Sequence, residues 1–130
     1  MEVDFKLLEE ALKNSWSKET CYPPLQDEWS PERPSLGQCA VTTMVVQDYF
    51  GGKLLYCRHY HHYWNMLPDG REVDFTRGQF PKDVKICFDE IRDRNYLLNS
   101  EGSKRARTPE RYRILKSRVD EYIKRYVKRI

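Results

Sequence analysis

The stretch that decides the fold reads Ser35-Leu-Gly-Gln-Cys-Ala-Val-Thr-Thr-Met-Val-Val-Gln-Asp-Tyr-Phe50 and is followed by Gly51-Gly52. Within it, Cys39–Phe50 is apolar on nearly every side. The β-branched content of this segment is typical of a strand, but its length and the Gly-Gly stop favour a helix. We therefore predict a buried central helix over Cys39–Phe50, with the cysteine at its start.

The segment after this helix predicts a β-hairpin. Lys53–Leu67 is rich in aromatic residues and contains neither Gly nor Pro, so it forms one long strand or two strands with a bend near His59–His61. Pro68-Asp69-Gly70 is a turn sequence, and the alternating residues of Arg71–Thr76 supply the returning strand.

The type of turn decides which side chains share a face of the hairpin. With a three-residue loop in which Gly70 is left-handed, Trp64 pairs with Asp74 and His62 pairs with Thr76. Asp74 then lies diagonally across from His62 on the same face, within reach of one imidazole nitrogen. A two-residue turn would shift the pairing by one residue and send Asp74 to the opposite face. The Pro-Asp-Gly sequence favours the three-residue loop.

The other segments flank this helix and hairpin. Before the central helix, we predict a helix from its cap Asp4 to about Asn14 and an ordered loop over Ser15–Gly37 that packs its aromatic side chains on the domain. After the hairpin, we predict a short helical turn with capping-box spacing over Thr76–Gln79 and a short helix within Val84–Leu98. A loop over Asn99–Arg107 then leads to an amphipathic helix from Thr108 to Ile130.

Length and charge limit the function classes that are open to the chain. Its 130 residues suit a single domain, 1–130. Residues 1–100 carry 12 basic and 16 acidic side chains, whereas residues 101–130 carry 11 and 4, so an acidic body precedes a basic tail. No stretch approaches the ~18 apolar residues of a membrane span, and the first residues lack the pattern of a signal peptide. We expect a soluble, cytoplasmic protein that does not contact membranes; its oligomeric state is left open.

Cys39 has a position that cysteine chemistry would use. The start of a helix gathers unpaired backbone N–H groups and the positive end of the helix dipole, which favour a thiolate and can stabilise an oxyanion. An aspartate that orients a histidine, which in turn deprotonates a cysteine, is a nucleophile, base and orienter set. Asp74, His62 and Cys39 fit these three roles. A small core thiol and a surface hairpin explain the same residues without any chemistry, so both interpretations stay open.

The remaining cysteines and histidines offer a weaker alternative. The four cysteines form no CxxC pair, which argues against a zinc ribbon or a thioredoxin-type motif. Cys57, His59 and His61 alternate and would share the face opposite His62 in a regular strand, where they could bind Zn²⁺. No fourth ligand is evident, so we predict no metal site and no cofactor.

Several stretches resemble the YunG-like family of small bacterial proteins. They are Ser15-Trp16, Tyr22-Pro-Pro, Ser35-Leu-Gly-Gln-Cys-Ala-Val-Thr, Gln47-Asp-Tyr-Phe-Gly-Gly, His62-Tyr-Trp-Asn, Leu67-Pro-Asp-Gly-Arg-Glu-Val-Asp-Phe-Thr76 and Gln79-Phe. The resemblance covers most of the chain except its termini. It implies a set of relatives but no particular reaction.

A wider resemblance implies a fold and a reaction. His62-x-Trp64, a hairpin and Asp74-x-Thr76 are similar to the strand pair of papain-like and transglutaminase-like proteins, in which a cysteine at the start of a central helix comes first. The resemblance implies an α+β fold, with that helix packed on a small antiparallel sheet. It also implies Cys39 as nucleophile, His62 as base and Asp74 as orienter. Gln38, beside the cysteine, and Trp64, which would shield the histidine from water, are candidate substrate-binding or site-shaping residues.

Two functions follow as hypotheses. The first is a cysteine-dependent hydrolase or acyltransferase that acts on an amide, ester or isopeptide of a small molecule or peptide. The alternative is a non-catalytic scaffold or binding module that contacts nucleic acid or an acidic partner through its basic C-terminal helix. Nucleic-acid binding is the less favoured of these, because acidic residues are interspersed among the basic ones.

Overall fold

The computed structural model describes residues 3–129, in which the predicted central helix is present as α2, Cys39–Phe50. Six consecutive residues of this helix, Val41–Val46, are buried. The helix ends where Gly51 adopts a φ of +75°, a left-handed value that suits glycine, and its N–H donates to Gln47 O over 2.8 Å. The Gly-Gly sequence therefore stops the helix as predicted.

Residues 3–129 also form a four-stranded antiparallel sheet, made of β1 (Lys53–Cys57), β2 (His62–Met66), β3 (Glu72–Val73) and β4 (Glu90–Arg92). Its spatial order is β3-β2-β1-β4, so β1 and β2 are the central strands. Helix α2 packs on β2, and the Asn65 side-chain amide donates to Thr43 O over 3.0 Å between them. The fold is therefore α+β, with the central helix on a small sheet.

The β2–β3 hairpin has the predicted three-residue loop. Leu67 N–H donates to Arg71 O over 2.7 Å, and Gly70 has a φ of +92°. Asn65 pairs with Val73, which is the predicted register. The sequence Pro-Asp-Gly thus fixes which residues of the two strands face each other.

Two further helices, α1 (Phe5–Ser15) and α5 (Thr108–Arg129), pack on each other and α5 packs on α2. The three helices share one buried cluster, which consists of Leu7, Leu8, Ala11, Leu12, Trp16, Val41, Val45, Val46, Leu115, Val119 and Ile123. The predicted Asp4 cap is confirmed, because its carboxylate accepts a hydrogen bond from Leu7 N–H over 2.8 Å. The apolar stripe of α5 is buried as far as Ile123 and exposed at Tyr126 and Val127, and the predicted end at Ile130 lies outside the described residues.

The segment between the sheet and α5 differs from the prediction. The expected short helix is α3 (Arg94–Asn99), but the strand β4 before it was not predicted. Asn99–Arg107, predicted as a loop, contains helix α4 (Glu101–Arg105). Ser100 starts this helix by accepting a hydrogen bond from Ser103 N–H over 3.2 Å, so a local cap stabilises a segment whose composition is that of a loop.

Three other predictions need correction. β3 ends at Val73 instead of continuing to Thr76. The helical turn Arg77–Gln79 is present, but Thr76 does not cap it, because the Thr76 hydroxyl bonds to Asp74. In the ordered loop before α2, the aromatic residues are buried unevenly: Trp16 is buried, whereas Tyr22 is exposed.

Candidate active site

Cys39 is the first residue of α2 and lines a cavity of about 530 Å³. Its side chain is partly exposed, and its Sγ lies 3.9 Å from His61 O. The first backbone hydrogen bond of the helix joins Thr42 N–H to Gln38 O. The N–H groups of residues 39–41 therefore belong to the first turn, which has no acceptor within the helix. The sulfur thus lies where the helix dipole and unpaired N–H groups favour negative charge.

His62 is the first residue of β2 and is fully buried. Its Nε2 lies 2.7 Å from Asp74 Oδ2. A carboxylate oxygen accepts, so Nε2 carries the proton and Nδ1 of the neutral ring is the acceptor. Burial opposes protonation of the ring, but the hydrogen bond that Nε2 donates to Asp74 and the interaction with Cys39 outweigh it and raise the pKa of His62 to about 9. The structure therefore pairs His62 with Asp74.

Asp74 is held in place by the chain that follows it. Its Oδ1 accepts hydrogen bonds from Thr76 N–H at 3.1 Å and from the Thr76 hydroxyl at 3.3 Å. Its Oδ2 is left for His62. Asp74 lies just beyond β3, where the turn bends its carboxylate towards β2. Thr76 is therefore a positioning residue for Asp74.

Two aromatic rings enclose the imidazole of His62. The Trp64 ring stacks on it, with 5.5 Å between centroids and 17° between planes. The Phe80 ring meets it edge-on at 4.8 Å. Trp64 is buried and its indole N–H donates to Glu72 Oε1 over 2.8 Å, so its ring is fixed. Exclusion of water strengthens the electrostatic interactions of His62 with its partners.

Gln38 is the residue immediately before α2 and is fully buried. Its Nε2 donates to Ser17 O over 3.0 Å, and its Oε1 is buried without a hydrogen-bond partner in the described residues. Gln38 is not among the residues that line the cavity. The structure thus places this carboxamide where it shapes the loop and not where it would face a ligand.

Gln79 lines the cavity, and the sequence-based reasoning did not single it out as a site residue. Its Oε1 accepts from Gly37 N–H over 3.2 Å, which joins the turn after β3 to the loop before α2. Its Nε2 lies 3.3 Å from His62 Nδ1, on the side of the ring away from Asp74. Gln79 appears in the Gln-Phe pair that resembles the YunG-like family, so that pair is the signal by which it could have been found.

The weaker alternative, Cys57, His59 and His61 on one strand face, is not the arrangement in the structure. Cys57 ends β1, whereas His59 and His61 lie in the turn that follows, so the three do not alternate along one strand. His61 has a φ of +50°, and its Nδ1 lies 3.0 Å from the Tyr56 hydroxyl. Across residues 3–129, no group of three or more His, Cys, Asp or Glu side chains could hold a metal ion.

The comparison with known proteins places the chain in a family. The family model described as "YunG protein" matches residues 4–124. The chain belongs to the YunG family. A relative in Bacillus subtilis (strain 168), named "Uncharacterized protein YunG", is 38% identical over 76 residues, which are 57% of this chain and 61% of the relative. The match thus spans about three fifths of that relative's length. No solved structure matches this YunG-family chain.

The described residues of the YunG-family chain contain the α-helices α1–α5. None of those within residues 3–129 combines the length and the apolar composition that crossing a bilayer requires.

Proposed function

We propose that this protein is a cysteine-dependent hydrolase or acyltransferase that acts on an amide, ester or isopeptide. The observation that carries the proposal is the 2.7 Å contact between His62 Nε2 and Asp74 Oδ2 on a fully buried ring, with the Cys39 sulfur 3.9 Å from the backbone oxygen of the neighbouring His61. On a surface hairpin without a chemical role, a histidine is expected to be exposed, whereas His62 is buried and paired with a carboxylate. The order Cys39, His62, Asp74 also resembles that of papain-like and transglutaminase-like proteins, which supports the same roles.

In the first half of the reaction, the Cys39 thiolate attacks the carbonyl carbon of the substrate. A C–S bond forms, and the carbonyl π electrons move to the oxygen. The N–H groups at the start of α2 and the Gln79 amide are the candidate donors to this oxyanion. The intermediate collapses by breaking the C–N or C–O bond, and His62 gives its proton to the departing amine or alcohol.

In the second half, the thioester is transferred to an acceptor. Neutral His62 takes a proton from water in a hydrolase, or from an amine or alcohol in an acyltransferase, and the acceptor oxygen or nitrogen attacks the thioester carbon. The C–S bond then breaks and returns the sulfur to Cys39, with the proton on His62. Asp74 keeps Nε2 protonated and stabilises the imidazolium throughout. No cofactor enters this scheme.

Alkylation by iodoacetamide tests the nucleophile, with each cysteine followed by peptide mass spectrometry. In the proposal, the N–H groups at the start of α2 and the His62 ring act together on Cys39. At about pH 6 we expect Cys39 to react about tenfold faster than Cys87, which is exposed and provides an accessible reference. Cys21 is buried, and burial raises its pKa to about 11, so it should react slowest.

The control is His62→Gln, which should remove the advantage of Cys39 over Cys87. Hydrolysis of an activated ester such as p-nitrophenyl acetate then tests turnover, and we expect His62→Gln to lower it about a hundredfold or more. Equal labelling of Cys39 and Cys87 at about pH 6, unchanged by His62→Gln, would contradict the proposal and leave a non-catalytic scaffold.

A further inference from the structure

The cavity beside Cys39 contains a buried cation without a matching anion. Arg111 of α5 lines the cavity, yet the residue is 4% exposed. Its guanidinium donates to Ala106 O at 2.9 Å, to Thr20 O at 3.0 Å and to Thr108 Oγ1 at 3.2 Å. All three acceptors are uncharged, and within residues 3–129 no Asp or Glu forms an ion pair with Arg111. A buried charge is costly unless it is paired, so an anion is the partner that this site lacks.

The guanidinium retains donors for such an anion. Arg has five N–H groups, and the three hydrogen bonds occupy one each on Nε, Nη1 and Nη2. One N–H therefore remains on each of the two terminal nitrogens. Two N–H groups on these nitrogens can bind both oxygens of a carboxylate, which is the geometry that a guanidinium favours.

The other cationic side chain of the cavity lining is already neutralised. Arg92 pairs with Glu90 at 2.9 Å and donates to the Tyr63 hydroxyl at 2.7 Å. Its guanidinium lies over the ring of Tyr56 at 3.7 Å and over that of Tyr96 at 4.3 Å. Arg92 thus builds an aromatic wall, and Arg111 is left as the cation with capacity for a ligand.

The rest of the lining defines the other part of the ligand. Apolar and aromatic side chains form much of the wall, among them Leu25, Leu36, Tyr60, Phe80 and Leu97. None of the described residues that line the cavity is Asp or Glu. A volume of about 530 Å³ lies within the range of small-molecule sites. Cys39 and Arg111 both line this cavity, so the nucleophile and the cation belong to one site.

We propose that the substrate is a small amide or ester that carries a carboxylate, and that Arg111 binds this carboxylate while the apolar part lies against the aromatic wall. The proposal rests on the proposed function for the reacting bond, but the anion site itself does not. It assigns Arg111 as a residue that selects the substrate by its charge.

Binding of two matched probes tests the proposal without any chemistry at the cysteine. Isothermal titration of the Cys39→Ala protein with 3-phenylpropionate and with 3-phenylpropionamide compares an acid with its neutral analogue. We expect the acid to bind about tenfold tighter or more, because a carboxylate has two charged acceptor oxygens for the buried guanidinium, whereas the amide has one uncharged acceptor oxygen. A second substitution, Arg111→Met, should abolish this preference, whereas Arg113→Met, on the exposed face of the same helix and outside the cavity lining, should keep it.

The outcomes separate this inference from the proposed function. Equal affinity for acid and amide, or no binding of either, overturns the anion site even when the Arg111→Met protein does not fold. A preference for the acid that survives in folded Arg111→Met protein also overturns it and assigns the charge to His62. Normal alkylation of Cys39 with no acid preference leaves the proposed function standing. An acid preference with an unreactive Cys39 leaves the anion site standing.

Discussion

Asp74 and Cys39 determine how strongly the imidazole of His62 binds its second proton. Burial disfavours the charged form, and the hydrogen bonds and charges of Asp74 and Cys39 reverse that effect and raise the pKa to about 9. Asp74→Asn removes one of these charges and should lower the pKa of His62 by about one unit or more. An NMR titration of the ring, with the resonance assigned by its loss in His62→Gln, measures this change.

The same shift predicts how stability depends on pH. A histidine whose pKa is higher in the folded state stabilises the fold fully below its unfolded value of about 6.5, and that contribution is lost as pH rises through about 9. Urea unfolding should therefore show a larger deficit for Asp74→Asn at about pH 6 than at about pH 9.5. A deficit that is the same at both pH values would show that Asp74 acts on stability without acting on the charge of His62.

The pairing of Asp74 with His62 could be predicted from sequence, whereas the place of Gln79 could not. The Pro-Asp-Gly turn fixes the register of β2 and β3, and register decides which side chains share a face. Gln79 reaches His62 from a helical turn beyond the hairpin, through its contact with Gly37 N–H. No periodicity marks such a contact, because it depends on how two loops pack.

At the scale of elements, the loop that carries Gly37 joins the front of α2 to the turn of Gln79. Gly37 has a φ of +71°, and a Cβ there would lie 2.5 Å from Cys21 Sγ. Gly37→Ala should therefore cost about 2–4 kcal/mol in the free energy of unfolding, from backbone strain and overpacking together. Chemical denaturation measures the cost.

Gly102→Ala is the matched control for this change. Gly102 lies in α4, and a Cβ added there meets no atom within 4 Å. The substitution should leave stability unchanged or raise it slightly, because alanine favours a helix over glycine. A Gly37→Ala protein as stable as Gly102→Ala would show that the loop before α2 adapts freely and does not fix the position of Gln79.

Elements with a long or distinctive pattern were predictable, and short ones were not. The apolar run of α2 and the cap of α1 at Asp4 both determine their helices locally. β4 has three residues and α4 has five, which is too short for a hydrophobic period to show. β4 forms because it pairs with β1, and α4 forms because Ser100 caps it, so tertiary pairing and a local cap replace the missing pattern.

At the scale of the whole molecule, the basic tail of the sequence becomes a structural helix. Leu115 and Val119 of α5 are fully buried against α1 and α2. A protein truncated after Thr108, as a test of nucleic-acid binding, would therefore lose part of the core along with the basic side chains. Any loss of binding would then reflect the lost core as well as the lost charges. Single charge substitutions on the exposed face of α5 are the appropriate test.

Half of the eight cations of α5 form ion pairs within the molecule, which argues against a nucleic-acid surface. Arg111 is buried, and four further cations of the helix form ion pairs, namely Arg113 with Glu110, Lys116 with Asp120, Arg118 with Glu19 and Arg125 with Glu121. Phosphate contacts would have to compete with these carboxylates. Fluorescence anisotropy with a labelled DNA duplex at about 0.15 M salt should therefore give a dissociation constant no lower than the roughly 10⁻⁴–10⁻⁶ M that is typical of non-specific contacts. Tighter binding that weakens on Lys124→Gln and Lys128→Gln would instead make the basic helix a binding surface and separate its role from that of the cavity.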